Sequence, residues 1–136
     1  MNDAPRALIV EDDDPIRMML RKIVERLDFV VDDASDGAEA IEQIESHDYA
    51  VILLDLMMPR VDGYSVLTHL QKEHPQVLPR TIIASAVPEG EIAKRFSGPV
   101  FGIHSKPFEI ERLVDALRTC AQGAAQSRSD SSDAPR

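Results

Sequence analysis

The chain has 136 residues, 43% of them hydrophobic, so one domain with its own buried core is expected. Its net charge of −9 argues against a general nucleic-acid-binding surface, and no apolar stretch approaches the roughly 20 residues that a membrane helix needs. The polar N-terminus lacks the apolar core of a signal peptide, and the single cysteine, Cys120, is expected to be a buried structural thiol. We therefore expect a cytoplasmic domain that contacts neither membrane nor nucleic acid directly.

Short apolar runs alternate along the chain with segments of helical periodicity. The first run, at 7–10, predicts a strand, and Asp14 is expected to cap a helix that begins with Pro15. The later strands are predicted at 29–31, 50–54, 81–84 and 100–104. The later helices are predicted at 35–47, 63–72, 89–96 and 107–121. The fourth helix is expected to be short, because Ser97-Gly98-Pro99 stops it.

Apolar residues at helical spacing indicate which face of each helix is buried. The residues expected to face inward are Ile16, Met19, Leu20, Ile23, Val24 and Leu27 in the first helix, Ala38, Ile41 and Ile44 in the second, Val66, Leu67 and Leu70 in the third, and Phe108, Ile110, Leu113, Val114 and Leu117 in the last. Five strand–helix units with helices on both faces predict an α/β fold with a doubly wound parallel sheet.

The domain boundaries follow from where this pattern begins and ends. Residues 1–5 are predicted to be an N-terminal extension and residues 6–121 the folded domain. Residues 122–136 are rich in Ser, Ala, Gln, Gly and Asp and lack apolar periodicity, which predicts a disordered C-terminal tail.

Carboxylates follow two of the predicted strands directly. Asp55 comes after the run at 50–54, and Glu11 and Asp12 come after the run at 7–10. Because the carboxyl ends of parallel strands meet at one edge of a sheet, these side chains are expected to share a pocket. Like charges at such separations repel unless a cation joins them, and oxygen ligands of this kind suit Mg²⁺. The sequence therefore predicts an acidic metal site.

Four groups of residues at four strand ends resemble, in this order, the receiver domain of two-component response regulators, the CheY-like family. They are Val-Glu-Asp-Asp at 10–13, Leu-Asp-Leu-Met-Met-Pro at 54–59 with Asp62-Gly63, Ala-Ser-Ala at 84–86 and Lys-Pro-Phe at 106–108. The resemblance covers roughly residues 6–121. It implies a flavodoxin-like (βα)5 fold with strand order 2-1-3-4-5.

The resemblance also implies roles for individual residues. Asp55 would be the phosphoacceptor, Lys106 a point charge on the phosphoryl oxygens, and Ser85 the switch residue whose hydroxyl turns toward the new phosphoryl group. Mg²⁺ would be held by Asp12, by Asp55, by the backbone carbonyl of Met57 and, through water, by Glu11. Arg17 and the four histidines, at 47, 69, 74 and 104, are interpreted as lying outside the site, the histidines because they show no ligand spacing.

Three positions bear on how the family's signalling chemistry would work in this chain. Three residues before the lysine the family usually has Tyr or Phe, where this chain has Ile103, so the signal-coupling aromatic is absent or its role passes to a neighbour such as Phe101. Met57 and Val87 stand where the family can orient the water that hydrolyses the phosphoryl group. Neither side chain can do so, which predicts slow self-dephosphorylation.

The leading hypothesis is a stand-alone response regulator receiver that works in a phosphorelay. It would accept a phosphoryl group from a histidine kinase or a histidine phosphotransfer protein, catalyse only its own phosphorylation and dephosphorylation, and switch its binding of an unidentified downstream protein. One alternative is a receiver-fold interaction domain that works without phosphorylation, which Ile103 favours. Another is a Mg²⁺ phosphohydrolase, against which Met57 argues because those enzymes usually have a second Asp there.

Overall fold

The computed structural model describes residues 4–58 and 61–133, with side chains through residue 123. The strands are β1 (Arg6–Val10), β2 (Val30–Ala34), β3 (Val51–Leu54), β4 (Thr81–Ser85) and β5 (Gly102–Ser105). The helices are α1 (Asp14–Glu25), α2 (Gly37–Ser46), α3 (Gly63–Glu73), α4 (Glu89–Arg95) and α5 (Ile110–Asp133). A 3₁₀ helix, η1 (Pro75–Arg80), precedes β4 and was not expected from the sequence. The fourth helix is short, as predicted.

The five strands form one parallel sheet with the order β2-β1-β3-β4-β5. This confirms the predicted doubly wound α/β sheet and the strand order implied by the family resemblance. The chain moves outward from β1 to β2 and then returns to the other side of β1 with β3. Ligand crevices of such sheets lie at the carboxyl ends of the strands where the order reverses, which here are the ends of β1 and β3.

Each face of the sheet has its own hydrophobic core. Leu8 and Ile52 belong to the core formed with α2, α3 and α4, whereas Ile9 and Leu53 belong to the core formed with α1 and α5. Successive side chains of a strand point to opposite faces, so a strand covered by helices on both sides must be apolar throughout. The unbroken apolar runs in the sequence therefore have a direct structural cause.

Of the 17 side chains predicted to face inward, 14 are buried or partly buried. Val66, Leu67, Leu70, Leu113 and Leu117 have no measurable exposure. Three of the predictions are wrong: Met19 is 40% exposed, Ile110 is 41% exposed, and Ala38 lies on the surface. Met19 and Ile110 both line an open apolar cleft between α1 and the start of α5, which lies beyond the cover of the sheet. Helical spacing alone does not indicate where that cover ends.

Aspartates cap the first two helices, one residue away from where the sequence suggested. The N–H of Ile16 donates a hydrogen bond to the Asp13 carboxylate at 2.9 Å, so Asp13 rather than Asp14 is the N-cap of α1. The helix α2 begins after Asp36, which accepts a hydrogen bond from the N–H of Glu39, rather than at Ser35. Several adjacent Asp and Ser side chains can act as caps, and the backbone turn selects one of them.

A polar contact ties the loop before β3 to β1 and β2. The Asp32 carboxylate accepts a hydrogen bond from the Tyr49 hydroxyl at 2.7 Å and one from the Arg6 guanidinium at 2.9 Å. Burial alone would raise the pKa of Asp32, but the two hydrogen bonds outweigh it and lower the pKa below its ordinary value. Burial and the bond to Asp32 together raise the pKa of Tyr49.

The last helix is longer than predicted. The sequence pattern placed its end at Ala121, whereas α5 continues to Asp133. The helix continues after the apolar pattern stops, and the next proline in the sequence is Pro135. The disordered tail at 122–136 stays a prediction. Residues 1–3 and 134–136 lie outside the described residues, and the domain boundary at 121 stays a prediction.

Two further expectations concern the composition of the chain. Cys120 is buried, as predicted, and burial raises the pKa of its thiol to about 11 although Arg80 opposes the shift. Among the described residues, none of the helices combines the length and the apolar character needed to cross a membrane.

Candidate functional site

The ends of β1 and β3 bring the predicted acidic residues together. Val10 and Leu54 are register partners, so Glu11 and Asp55 leave the sheet side by side. The N–H of Asp55 donates to the carbonyl of Val10 at 3.0 Å, and the N–H of Glu11 donates to the carbonyl of Ala34 at 3.0 Å. Both residues are thus still hydrogen-bonded to the sheet, which makes their positions rigid.

Three carboxylates form what we call the acidic pocket: Glu11, Asp12 and Asp55. One carboxylate oxygen from each lies within 4.8 Å of the others. Glu11 is 1% exposed and Asp55 4% exposed, whereas Asp12 lies at the surface. The predicted gathering of these residues is confirmed, and the buried pair with an exposed neighbour leaves an opening toward solvent.

Lys106 reaches into the acidic pocket from the end of β5. Its ammonium nitrogen lies 2.6 Å from Glu11 Oε1 and 3.4 Å from Asp55 Oδ2. Burial raises the pKa of Glu11, and the hydrogen bond from Lys106 opposes that shift. Burial would lower the pKa of Lys106, but the bond to Glu11 and the charge of Asp55 outweigh it and raise the pKa. Lys106 is therefore a cation at neutral pH.

Ser85 lies on the strand between Asp55 and Lys106. It ends β4 as the register partner of Ser105, and its carbonyl accepts a hydrogen bond from the N–H of Lys106 at 3.0 Å. The side chain is 1% exposed, and its hydroxyl oxygen accepts a hydrogen bond from the N–H of Val87 at 3.3 Å. In this conformation the hydroxyl bonds to its own turn.

The loop after Asp55 is held close to the start of α3. The N–H of Met57 donates to Asp55 Oδ1 at 3.3 Å, and the N–H of Gly63 donates to the carbonyl of Leu56 at 3.1 Å. A Cβ at position 63 would lie 2.3 Å from the carbonyl oxygen of Asp55 and 2.6 Å from the Cα of Leu56. Glycine is required here because the two backbone segments touch.

Arg17 contacts the backbone of the acidic pocket at Glu11. It was interpreted as a surface residue outside the site, but its side chain is 18% exposed and its Nη1 donates to the carbonyl of Glu11 at 2.9 Å. Arg17 also pairs with Asp14 at 2.6 Å. The spacing of six residues between Glu11 and Arg17, one turn into α1, is the signal in the sequence that could have indicated this contact.

The donor chemistry of the acidic pocket fits Mg²⁺. Among the described residues, three carboxylates face the Lys106 ammonium, so this part of the pocket is net negative. Carboxylate oxygens with an opening to water are the donors that Mg²⁺ prefers. Glu11, Asp12 and Asp55 would hold the ion. The individual roles of these residues, of Lys106, of Ser85 and of the Met57 carbonyl stay predictions.

The proposed substitute for the missing aromatic is not near the site. Ile103 pairs with Ile83 and packs against the core formed with α2, α3 and α4. The N–H of Phe101 donates to the carbonyl of Thr81, at the opposite end of β4 from Ser85. Thr81 and Ser85 are four residues apart in β4, which is about 13 Å along the strand. Phe101, which precedes β5, therefore lies too far away to follow the Ser85 hydroxyl, contrary to expectation.

A second cluster of polar side chains was not expected from the sequence. His69 and His74 were interpreted as bystanders, yet both imidazoles contact the carboxylate of Glu45. The histidines are five residues apart and Glu45 is 24 residues before the first of them, so no spacing rule for one helix applies.

Comparison with known proteins gives a consistent result. The family model described as the response regulator receiver domain matches residues 7–118. The transcriptional regulatory protein SrrA of Staphylococcus aureus is 39% identical, over 90% of this chain and 52% of its own length. The chain therefore spans about half the length of the curated relatives it matches.

Solved structures share the fold. The receiver domain of the Francisella response regulator 1452 has a TM-score of 0.77 and 28% identity, over 87% of this chain and 97% of that chain. The response regulator protein TrrA of Thermotoga maritima, solved in complex with Mg²⁺ and BeF, has a TM-score of 0.75 and 22% identity, over 85% and 98%. At 22% identity, the likeness to TrrA supports the fold alone.

Proposed function

We propose that this chain, a member of the response regulator receiver domain family, accepts a phosphoryl group on Asp55 from a phosphohistidine donor. The donor would be a histidine kinase or a histidine phosphotransfer protein. The observation that carries the proposal is the position of Lys106, whose ammonium lies 2.6 Å from Glu11 and 3.4 Å from Asp55 in a largely buried pocket. A lysine held there can neutralise a phosphoryl group on Asp55 without a large movement.

The reaction is a displacement at phosphorus. An oxygen of Asp55 forms the new O–P bond while the N–P bond of the phosphohistidine breaks, and the leaving imidazole nitrogen keeps the electron pair and takes a proton from solvent. A carboxylate attacks a charged phosphoryl group poorly in water, so the site must align the reactants and offset negative charge. The bonds that tie Asp55 to Val10 and Met57 fix its carboxylate for that purpose.

Mg²⁺ bound by Glu11, Asp12 and Asp55 would offset the charge on the phosphoryl oxygens. The carboxylates of the acidic pocket are the observation that favours this metal, and the structural neighbour TrrA was solved in complex with Mg²⁺ and BeF. Lys106 would move from the Glu11 carboxylate toward a phosphoryl oxygen, because both are anionic acceptors within reach of the same side chain.

The signal would pass through Ser85. Its hydroxyl accepts a hydrogen bond from the N–H of Val87, and the hydroxyl proton is available to a phosphoryl oxygen once the side chain turns. Such a rotation of the Ser85 side chain would free the N–H of Val87 and change the connection between β4 and α4. That change would alter the affinity for a protein partner. Because the sequence of the SrrA relatives extends beyond the matched region, the stand-alone arrangement and the downstream partner stay predictions.

The direct test is incubation with a small phosphodonor, with and without Mg²⁺, followed by intact mass measurement. We expect one phosphoryl group per chain with Mg²⁺, far less with a chelator, and none on the Asp55→Asn variant. The amide is nearly isosteric and carries no charge, so the variant should be at least as stable as wild type. An adduct that persists on Asp55→Asn would remove the phosphoacceptor role from this residue.

A second candidate is an interaction domain that works without phosphorylation. Ile103 favours it, because a branched aliphatic side chain that packs against the core has neither the hydroxyl nor the ring that usually couples the switch to the surface. The same incubation separates the candidates. No adduct on wild type supports the phosphorylation-independent domain, a stable adduct supports the receiver, and rapid multiple turnover of the donor indicates a phosphohydrolase.

A further inference from the structure

Two histidines and a glutamate converge on the side of the molecule away from the acidic pocket. His69 Nε2 lies 2.7 Å and His74 Nε2 lies 2.6 Å from the same oxygen, Oε2 of Glu45. One ligand atom from each of the three residues lies within 4.8 Å of the others. The two imidazole rings are 5.8 Å apart, centre to centre. We call these three residues the His–Glu cluster.

The fold explains why residues so far apart in sequence meet. Glu45 lies in the last turn of α2, His69 lies in the second half of α3, and His74 is the residue that caps the end of α3. The backbone of His74 leaves the helix with φ −142° and ψ 59°, which ends α3 immediately before Pro75. The chain turns there, and the His74 ring lies beside that of His69.

The position is remote from the phosphoacceptor. Asp55 lies at the carboxyl ends of the strands, where the helices α2 and α3 begin. The His–Glu cluster lies where the same helices end, at the opposite edge of the parallel sheet. A ligand bound there would not touch the acidic pocket.

The donor set has the chemistry of a transition-metal site. Neutral imidazole nitrogens and a carboxylate oxygen are the usual ligands of Zn²⁺, whereas Mg²⁺ prefers oxygen donors. Ligands of a tetrahedral Zn²⁺ lie about 3.3 Å apart, given metal–ligand distances near 2.0 Å, so the Glu45 oxygen must move by about 0.6–0.7 Å. The Glu45 side chain is 49% exposed and can make this movement.

The cluster is also accessible and has room beside it. The side chains of His69 and His74 are 24% and 28% exposed, so an ion can enter from solvent. Glu45 and His74 line a surface cleft of about 270 Å³, whose wall also includes Asp48 and Gln76. A water molecule can occupy the fourth position of the metal from this side.

We propose that Glu45, His69 and His74 bind a divalent transition-metal ion of the zinc class, with water as the fourth ligand. The ion would join the end of α2 to the end of α3 and would stabilise the domain without taking part in phosphoryl transfer. The proposal does not depend on the role of Asp55.

The competing explanation is a hydrogen-bonded cluster without metal. Both Nε2 atoms would then carry protons and donate to the same carboxylate oxygen, an arrangement that needs no ion. It predicts no zinc binding at these residues. Titration of the full chain distinguishes the two explanations.

The full chain, stripped with EDTA and desalted, should be titrated with Zn²⁺ by calorimetry in excess Mg²⁺, which competes with Zn²⁺ for the carboxylates of the acidic pocket. We expect one equivalent of Zn²⁺ to bind and the melting temperature to rise by mass action. The His69→Gln/His74→Gln variant should lose this binding. Glu45→Gln should weaken it by more than the roughly 10–100-fold that removal of an outer-shell partner costs. His47 has an exposed imidazole that lines the same cleft. As the matched control, the His47→Gln variant should bind Zn²⁺ like wild type.

Two controls keep the test decisive. Melting temperatures measured in EDTA show whether each variant is folded, and Glu45→Gln changes a side chain that is 49% exposed. Co²⁺ in place of Zn²⁺ should give a visible absorption band that requires Glu45, His69 and His74. Wild type that binds no Zn²⁺, or a double histidine variant that binds it as tightly as wild type, would overturn the proposal.

Discussion

The Gly63→Ala substitution tests whether the contact between α3 and the Asp55 loop positions the phosphoacceptor. The added Cβ would lie 2.3 Å from the Asp55 carbonyl oxygen, where an ordinary contact begins at 3.4 Å. The neighbouring atoms are backbone, so no side chain can rotate away, and the loop must move by about 1 Å. Overpacking of this kind costs about 1–3 kcal/mol. A displacement of about 1 Å at a reacting group costs about 100-fold in rate.

The matched control is Gly90→Ala, since a Cβ at Gly90 in α4 meets nothing within 4 Å. We expect Gly63→Ala to lower the melting temperature by roughly 3–9 °C, at about 3 °C per kcal/mol for a chain of this size. Its rate of phosphorylation by a small phosphodonor should fall by about two orders of magnitude. Gly90→Ala should keep the wild-type rate and be slightly more stable, because alanine favours a helix. If Gly63→Ala keeps both the stability and the rate of wild type, the close contact does not position Asp55.

Three further predictions concern the metal, the lifetime of the phosphorylated state and the dependence on pH. Millimolar Mg²⁺ should raise the melting temperature of wild type and raise it less for Asp12→Ala, because binding to the folded state alone stabilises it; equal shifts would exclude Asp12 as a ligand. Replacing Met57 by Asn and Val87 by Glu should accelerate loss of the phosphoryl group, since both new side chains can orient water; an unchanged rate, followed by intact mass over time, would show that water access is not limiting. Because the pKa of Asp32 is lowered in the folded state, its carboxylate stabilises the fold at pH values above its ordinary pKa near 3.8. This contribution is lost as the pH falls through the folded-state pKa. Urea unfolding should therefore show Asp32→Asn to be less stable than wild type at pH 7, and the difference in free energy of unfolding should disappear below about pH 4. A difference that stays constant with pH would contradict the lowered pKa of Asp32.

Local patterns in the sequence predicted the fold because each of them has a local cause. An apolar run bounded by polar residues indicates a strand covered on both faces, and the runs that became β1 and β3 are of this kind. Parallel strands share one carboxyl edge, so Glu11, Asp12 and Asp55 could be placed in one pocket before any contact was known. Lys106 and Ser85 are different. Their place in the site followed from the resemblance to a family, since a lone serine or lysine after a strand has no such meaning.

Precise boundaries were predicted less well, for a physical reason. Asp13 and Asp14 have the same capping chemistry, and the choice between them depends on how the backbone leaves Glu11. The end of α5 was predicted from apolar periodicity, which stops at Ala121 although the helix continues. The missed 3₁₀ helix contains Pro75 and Pro79, which read as a loop in the sequence.

The sequence by itself determined which segments form strands and helices, which strand ends carry carboxylates, and that the sheet is covered on both sides. Tertiary structure alone decided which side chains of separate helices meet and which residues of β4 and β5 stand opposite each other. Periodicity shows which face of a helix is buried, but it does not show how far one helix is shifted along the axis of its neighbour. This relative height depends on the packing of whole cores. That height brings Glu45 to His69 and His74, and the register of β5 on β4 places Phe101 far from Ser85.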